Sequence, residues 1–210
     1  MIYLEQRFNL HPAAPETLDQ FIAFAEAELV PAQERAGARL VGAFRSHSQW
    51  YCQVVQLLQF HDVSTFGVYH ERGIGDATAQ RLAELAPTQS SQLFECAGPV
   101  PAESMDAAIE SAAAKPENAY TYAILEVAEG RMQDFENLLA AAAPRLPIVA
   151  ALRPVVGKAS QIIDLWKGAN GVEHYEPADP RMKAFFEPLR QVAPTERMEN
   201  LFSLPYSPLL

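Results

Sequence analysis

Asp164 is the residue in this chain best suited to do chemistry. It stands in the run Gln161-Ile162-Ile163-Asp164-Leu165-Trp166, where large apolar neighbours would strip water from its carboxyl group. A desolvated carboxyl titrates above its usual range and is a stronger base once ionised. Such a group suits removal of a proton next to a carbonyl, with Trp166 as a flat wall for an aromatic or polyketide-like substrate. The plainer reading pairs Asp164 with a helix arginine or uses it to cap a turn. Gln56 holds the matching place in an earlier run, Gln53-Val54-Val55-Gln56-Leu57-Leu58-Gln59-Phe60. It could orient a carbonyl or a water, although a strand glutamine satisfied by its neighbours is the commoner case.

Two other clusters carry groups that exchange protons. Tyr69-His70-Glu71-Arg72 can pass protons or hold an anion, and His174-Tyr175 lies at the comparable place in the second half. Clusters of this kind are more often a solvated helix face. With that alternative beside them, His70 and His174 join Asp164 as candidate catalytic residues. The histidines have no His-x-His or His-x-x-x-His spacing, so no metal site is expected. There is no Walker loop, Gly-x-Gly-x-x-Gly or Gly-x-Ser-x-Gly, which argues against nucleotide chemistry and serine hydrolysis, and no cofactor is expected. Cys52 and Cys96 lack metal-ligand spacing and are expected to be reduced thiols.

The elements that position these residues come in a repeated order. Ile2 to Leu10 alternates as a strand, and Leu18, Ile22, Ala25 and Leu29 recur at helical spacing after Pro15, in a helix reaching Arg35. Leu40 to Ser46 and the Gln53 run then form a hairpin through a polar turn at 47–49. From Val63 to Leu85 the pattern is helical but broken by Gly67, Gly73 and Gly75, which predicts two helices with a break that borders a pocket. Gln92 to Cys96 closes a β-α-β-β-α-β order.

The same order restarts after an alanine-rich helix at Ser104 to Lys115. Strands are expected at Tyr120 to Val127, Ile148 to Leu152, Ser160 to Lys167 and Asn200 to Leu204. The helices between them carry Met132, Phe135, Leu139 and Ala142, then Arg181 to Gln191, with Pro188 kinking or shortening the second. Leu93-Phe94 returns as Leu201-Phe202 at the 108-residue offset that separates Gln53 from Gln161. A four-stranded sheet with helices on one face leaves Val55, Leu57, Ile163 and Leu165 too apolar for water on the other. The fold class is therefore α+β: two tandem ferredoxin-like domains packed sheet to sheet, at 1–98 and 119–210, joined by a partly helical connector at 99–118.

Ile2-Tyr3 with Leu10-His11-Pro12, Gln53-Val54-Val55-x-Leu57 followed by Asp62, and the ending Leu204-Pro205-Tyr206-Ser207-Pro208-Leu209 together resemble the NIPSNAP family, part of the dimeric α/β-barrel superfamily. The resemblance implies an intramolecular barrel and a pocket between each sheet and its own helices. Gln56, Leu58 and Phe60, with Gln6, Phe8 and Tyr69, would line one pocket; Asp164 and Trp166, with Tyr175, would line the other. The family strand usually reads Gln-Val-Val-His-Leu-Trp, and the histidine is replaced here by Gln56 and by Asp164.

At 210 residues and 49% hydrophobic, the chain can bury a substantial core. A net charge of −10 with scattered Lys and Arg disfavours nucleic acid and anionic membranes, no apolar run reaches a spanning length, and a cytoplasmic location is expected. These features and the resemblance lead to two expectations. One is a cofactor-independent cyclase, isomerase, dehydratase or oxygenase acting on a small apolar or aromatic carbonyl compound. The other is a non-catalytic protein that binds a hydrophobic metabolite or a partner protein. Both use an internal pseudo-dimer and leave a homodimer open.

Overall fold

The computed structural model describes residues 1–11, 16–47, 52–98, 100–168 and 180–210, with only the backbone of His47, Arg181 and Met182. The first strand, β1, spans Ile2–Asn9, and helix α1 follows at Thr17–Phe24. A π-helical turn at Ala25–Leu29 leads into α2, Val30–Arg35. That turn directly precedes Pro31, whose missing N–H and bulky ring cannot join a regular i to i−4 ladder. Next come β2 (Arg39–His47), β3 (Gln53–Phe60), α3 (Val63–Arg72), α4 (Asp76–Leu85) and β4 (Thr88–Cys96). Asp62 caps α3, its Oδ1 accepting from the Thr65 N–H at 2.8 Å. The helical break falls at Gly73 to Gly75 as expected, whereas Gly67 sits inside α3.

After α5 (Glu103–Ala114), the order repeats with β5 (Ala119–Glu126), α6 (Met132–Ala142), β6 (Ile148–Pro154), β7 (Gln161–Lys167), α7 (Pro180–Val192) and β8 (Thr195–Ser203). Pro188 does not shorten α7, which runs on to Val192 at the cost of one backbone hydrogen bond. Residues 48 and 49 of the expected turn, and Pro12 and Pro15 at the expected strand end and helix start, lie outside the described residues.

All eight strands close one antiparallel barrel in the order β1-β3-β2-β8-β5-β7-β6-β4. Within it, β4-β1-β3-β2 and β8-β5-β7-β6 are the same order used twice. The halves meet through hydrogen-bonded seams as well as through apolar faces. Phe44 lies opposite Ser203 on one seam and Leu152 opposite Cys96 on the other. No edge strand is left open.

The alternation of each strand divides the core into three clusters. Tyr3, Phe44, Val55, Leu57, Tyr122 and Leu165 belong to the cluster that fills the barrel. Phe8, Phe21, Leu58 and Phe60 pack beneath the first-half helices, and Leu125, Phe135, Trp166 and Phe186 beneath the second. Met105 and Ala108 of α5 join the barrel cluster, and so does Leu209 of the C-terminal tail. The connector and the tail are therefore part of the core.

β2 changes register between Leu40 and Gly42, and a Cβ at Gly42 would stand 2.6 Å from the Phe44 ring. Gly42→Ala should cost about 1–3 kcal/mol by overpacking. A thermal melt checks this, and an unchanged midpoint would mean that the ring moves aside freely.

Candidate functional site

β3 and β7 are the strands that deliver the candidate side chains. Every residue of β3 is buried, as is Ile162 through Trp166 of β7, because each lies mid-sheet with helices on one side and the barrel interior on the other. Gln56, Leu58 and Phe60 point to the first-half helices, and Asp164 and Trp166 to the second-half helices. The described ones among the predicted residues thus fall into two separate clusters, called here the first and second pocket after the expectation above.

The first pocket is filled by its own side chains. Gln56 is fully buried between Gln6 and Ala43 on the neighbouring strands. Gln33, from α2, donates from Nε2 to Gln6 Oε1 at 2.9 Å and to Gln56 Oε1 at 3.1 Å. Gln56 Nε2 in turn donates to the Tyr206 hydroxyl at 3.0 Å. The Tyr69 hydroxyl is held by Gln6 and Gln33, while Phe8, Leu58 and Phe60 supply the apolar wall. Burial pushes the Tyr69 and Tyr206 phenols above their usual range, with the amide donors opposing it. Gln33 and Tyr206 escaped the sequence reading. Tyr206 arrives from the far end of the chain, and only the resemblance at Leu204 to Leu209 drew attention to it.

The second pocket differs at each corresponding place. Asp164 is 3% exposed and lies between Ala123 and Ala151, two small residues that offer it no partner. Its Oδ1 is buried with no hydrogen-bond partner, and no cation pairs with it among the described residues. Burial, and then the negative charge of Glu196, push its carboxyl up to about 8. Glu196, half-buried on β8, sits across from Leu125 on the helix-facing side of the sheet, a role its isolated sequence position did not signal. Trp166 is 5% exposed and stacks on Phe186 of α7 at 6.5 Å between ring centres.

Of the other candidates, His70 is exposed on α3 and stacks against Phe66 at 6.1 Å, away from Asp164's cluster. Tyr69 alone of its cluster turns inward. His174 and Tyr175 lie outside the described residues. Cys52 and Cys96 are both free thiols. No group of three or more His, Cys, Asp or Glu gathers among the described residues. Two surface hollows lie away from Asp164. One of about 380 Å³ runs between α6 and α7 at Asp134, Leu138 and Pro188, and one of about 310 Å³ borders the Gly73 to Gly75 break beside Arg35 and Arg72. No helix among the described residues is long and apolar enough to cross a membrane.

No family model matches this chain, and no curated protein matches it. Solved structures do share its architecture. A protein from Fusobacterium nucleatum described as a "putative monooxygenase" is 10% identical, with 97% of this chain and 92% of that chain covered, at a TM-score of 0.63. An anthrone oxidase-like protein is 11% identical, with 97% and 91% covered, at 0.53. A NIPSNAP domain protein from Burkholderia xenovorans is 21% identical and matches 48% of this chain with 99% of its own, at 0.41. At these identities the likeness is one of fold. The chain is an α+β protein whose strands, among the described residues, close an antiparallel barrel of the kind these structures share.

Proposed function

We propose that this protein is an enzyme that removes a proton from the carbon next to the carbonyl of a small aromatic compound, in the pocket between the second-half sheet and its helices. In this reading the halves 1–98 and 119–210 are tandem ferredoxin-like units joined by the connector 99–118. The first half has closed its pocket, and the second keeps an acid–base group. The observation that carries the proposal is Asp164: a buried carboxyl with a free oxygen, small neighbours on both adjacent strands and an indole beside it.

A carboxyl titrating near 8 is protonated over most of its population at neutral pH and ionised above it. Ionised, it is a base about four units stronger than an ordinary aspartate, strong enough to take an acidified carbon-bound proton. Protonated, it returns that proton at carbon or oxygen, which gives isomerisation or ring closure. If molecular oxygen meets the carbanion first, oxidation follows. For a ketone such as anthrone, one molecule with one O₂ would give one anthraquinone and one water. The barrel shared with the protein described as a "putative monooxygenase" and with an anthrone oxidase-like protein makes that outcome worth testing first.

The test is deuterium uptake from D₂O at the carbon next to the carbonyl of α-tetralone and at C10 of anthrone, the carbon conjugated with its carbonyl through the flanking rings, followed by mass spectrometry under argon. The protein should accelerate exchange, with a rate that climbs with pH to a plateau above about 8. Asp164→Asn should lose about 100-fold or more of that acceleration, the usual scale of general-base catalysis. Full exchange by Asp164→Asn would overturn the base role. Binding without exchange would favour a carrier.

A further inference from the structure

The break between α3 and α4 borders a hollow that the chemistry proposed for Asp164 does not use. About 310 Å³ in volume, it lies between the last turn of α2 and the segment 73–75. Two arginines line it, Arg35 from the last turn of α2 and Arg72 from the last turn of α3. The Arg39, Arg81, Arg131 and Arg153 side chains each hold a carboxylate. Arg35 and Arg72, in contrast, make no ion pair or side-chain hydrogen bond among the described residues. The carboxylates beside them in sequence, Glu34, Glu71 and Asp76, are exposed and do not line the hollow.

An arginine at a helix C-terminus is ordinarily explained by the helix dipole, and here that explanation is too small. Each helix end carries about half a negative elementary charge and each guanidinium a whole positive one, so two such pairs leave the hollow roughly one charge positive. The chain's net charge of −10 does not cancel this locally, because exposed charges are screened beyond about 10 Å at ordinary salt. The other walls are apolar. Ala32, Ala36 and Ile74 form them, and a Cβ at Gly73 or Gly75 would meet no atom within 4 Å, so the space beside the glycines is open. The volume is more than a bare ion fills and sits at the lower end of the roughly 300–1,000 Å³ of small-molecule sites. We infer that this hollow is a second ligand site, which takes a small organic carboxylate. The forked guanidiniums of Arg35 and Arg72 receive the carboxylate, and Ala32, Ala36 and Ile74 cover its apolar body. The anion-holding role expected of the Tyr69-His70-Glu71-Arg72 run thus falls to Arg72, with Arg35 as a partner from another helix.

The experiment is an NMR titration of the whole ¹⁵N-labelled chain at low salt with sodium benzoate and with benzamide, its neutral counterpart. Benzoate should move the Arg35 and Arg72 Nε–H signals together, with a Kd of about 1 mM or tighter, the scale of two charge-assisted hydrogen bonds. Benzamide at the same concentrations should leave them in place. Arg35→Gln and Arg72→Gln assign the two signals by their loss, and each should weaken benzoate binding by about tenfold or more, the scale of one such bond. Both variants should keep the wild-type spectrum elsewhere, because neither side chain holds another residue. Equal binding of the two probes, arginine signals that do not respond to millimolar benzoate, or benzoate binding that survives the double substitution would overturn the inference. Inorganic phosphate that binds as tightly as benzoate would also overturn it, since the apolar walls would then contribute nothing.

Discussion

Asp164→Asn should abolish a loss of stability that the wild type suffers between about pH 4 and pH 8. The carboxyl of Asp164 is raised from an ordinary aspartate value to about 8. Between the unfolded and folded values the native state keeps a proton that the unfolded chain has released. Stability therefore falls as pH rises through that window, levelling off above the folded value. A shift of about four units at 1.36 kcal/mol each makes the full effect on the order of 5 kcal/mol. Urea unfolding of both proteins across pH 4 to 9 measures it. The variant's curve should draw above the wild-type curve as pH increases, and the gap should stop growing above about pH 8. Parallel curves would mean that Asp164 has found a partner or water and is an ordinary carboxylate. The same substitution should abolish proton exchange, so a stabilised and inactive variant is the signature of a group kept for chemistry.

Arg7→Ala should be the most damaging single change within the barrel. The Arg7 Nε donates to Glu5 at 2.7 Å, its Nη atoms donate to both oxygens of Glu199 at 2.8 and 2.9 Å, and Nη1 also donates to Gln53 at 3.0 Å. Ser46 donates to the same Glu199 carboxylate. Burial opposes the charge on Arg7, but the Glu5 and Glu199 carboxylates more than offset it and hold the guanidinium firmly protonated. Its removal would leave two carboxylates, 7% and 11% exposed, facing each other without a cation. Loss of one partner from a buried ion network costs on the order of 3–5 kcal/mol. Arg7→Met combined with Glu5→Gln and Glu199→Gln should recover much of the loss, since no charge is then left unpaired. A loss below about 1 kcal/mol in chemical denaturation would mean that water already screens the cluster. Because Glu199 comes from β8 and Arg7 from β1, this network also ties the halves together across the barrel.

The repeated strand order was readable because strand alternation and helical spacing recur in both halves, although the offset is not constant: the register puts Phe94, not Leu93, at the place of Leu201, each opposite a tyrosine of the neighbouring strand. The identity of Val55, Leu57, Ile163 and Leu165 as barrel-facing residues followed from their parity alone. What parity does not reveal is the partner on the facing element. Gln56 was legible as a buried strand glutamine, but its bonds run to Gln33 and to Tyr206, 150 residues away. Arg7 and Glu199 are 192 residues apart, and neither strand's pattern marks them as a pair. Met105 looked like one apolar residue in an alanine-rich connector, yet it packs into the barrel. The helix expected at Arg181 to Gln191 runs from Pro180 to Val192 with Pro188 inside it, and Phe186 and Leu189 on either side of the proline anchor it to the core. For the site, sequence located Asp164 and the reason for its raised titration. The two sets of side chains on β3 and β7 were separable by strand, whereas the helix and tail residues that meet Gln56, Gln33 and Tyr206, were not.

The most direct measurement is a pH titration of the Asp164 side-chain carboxyl carbon by NMR on aspartate-labelled protein, assigned by the signal missing from Asp164→Asn. A midpoint near 8 is the expected result, and it would establish a buried acid–base group at the place where the proposed proton transfer occurs. A midpoint at or below about 4, the ordinary aspartate range, would contradict it and remove the chemical basis for the second-half active site.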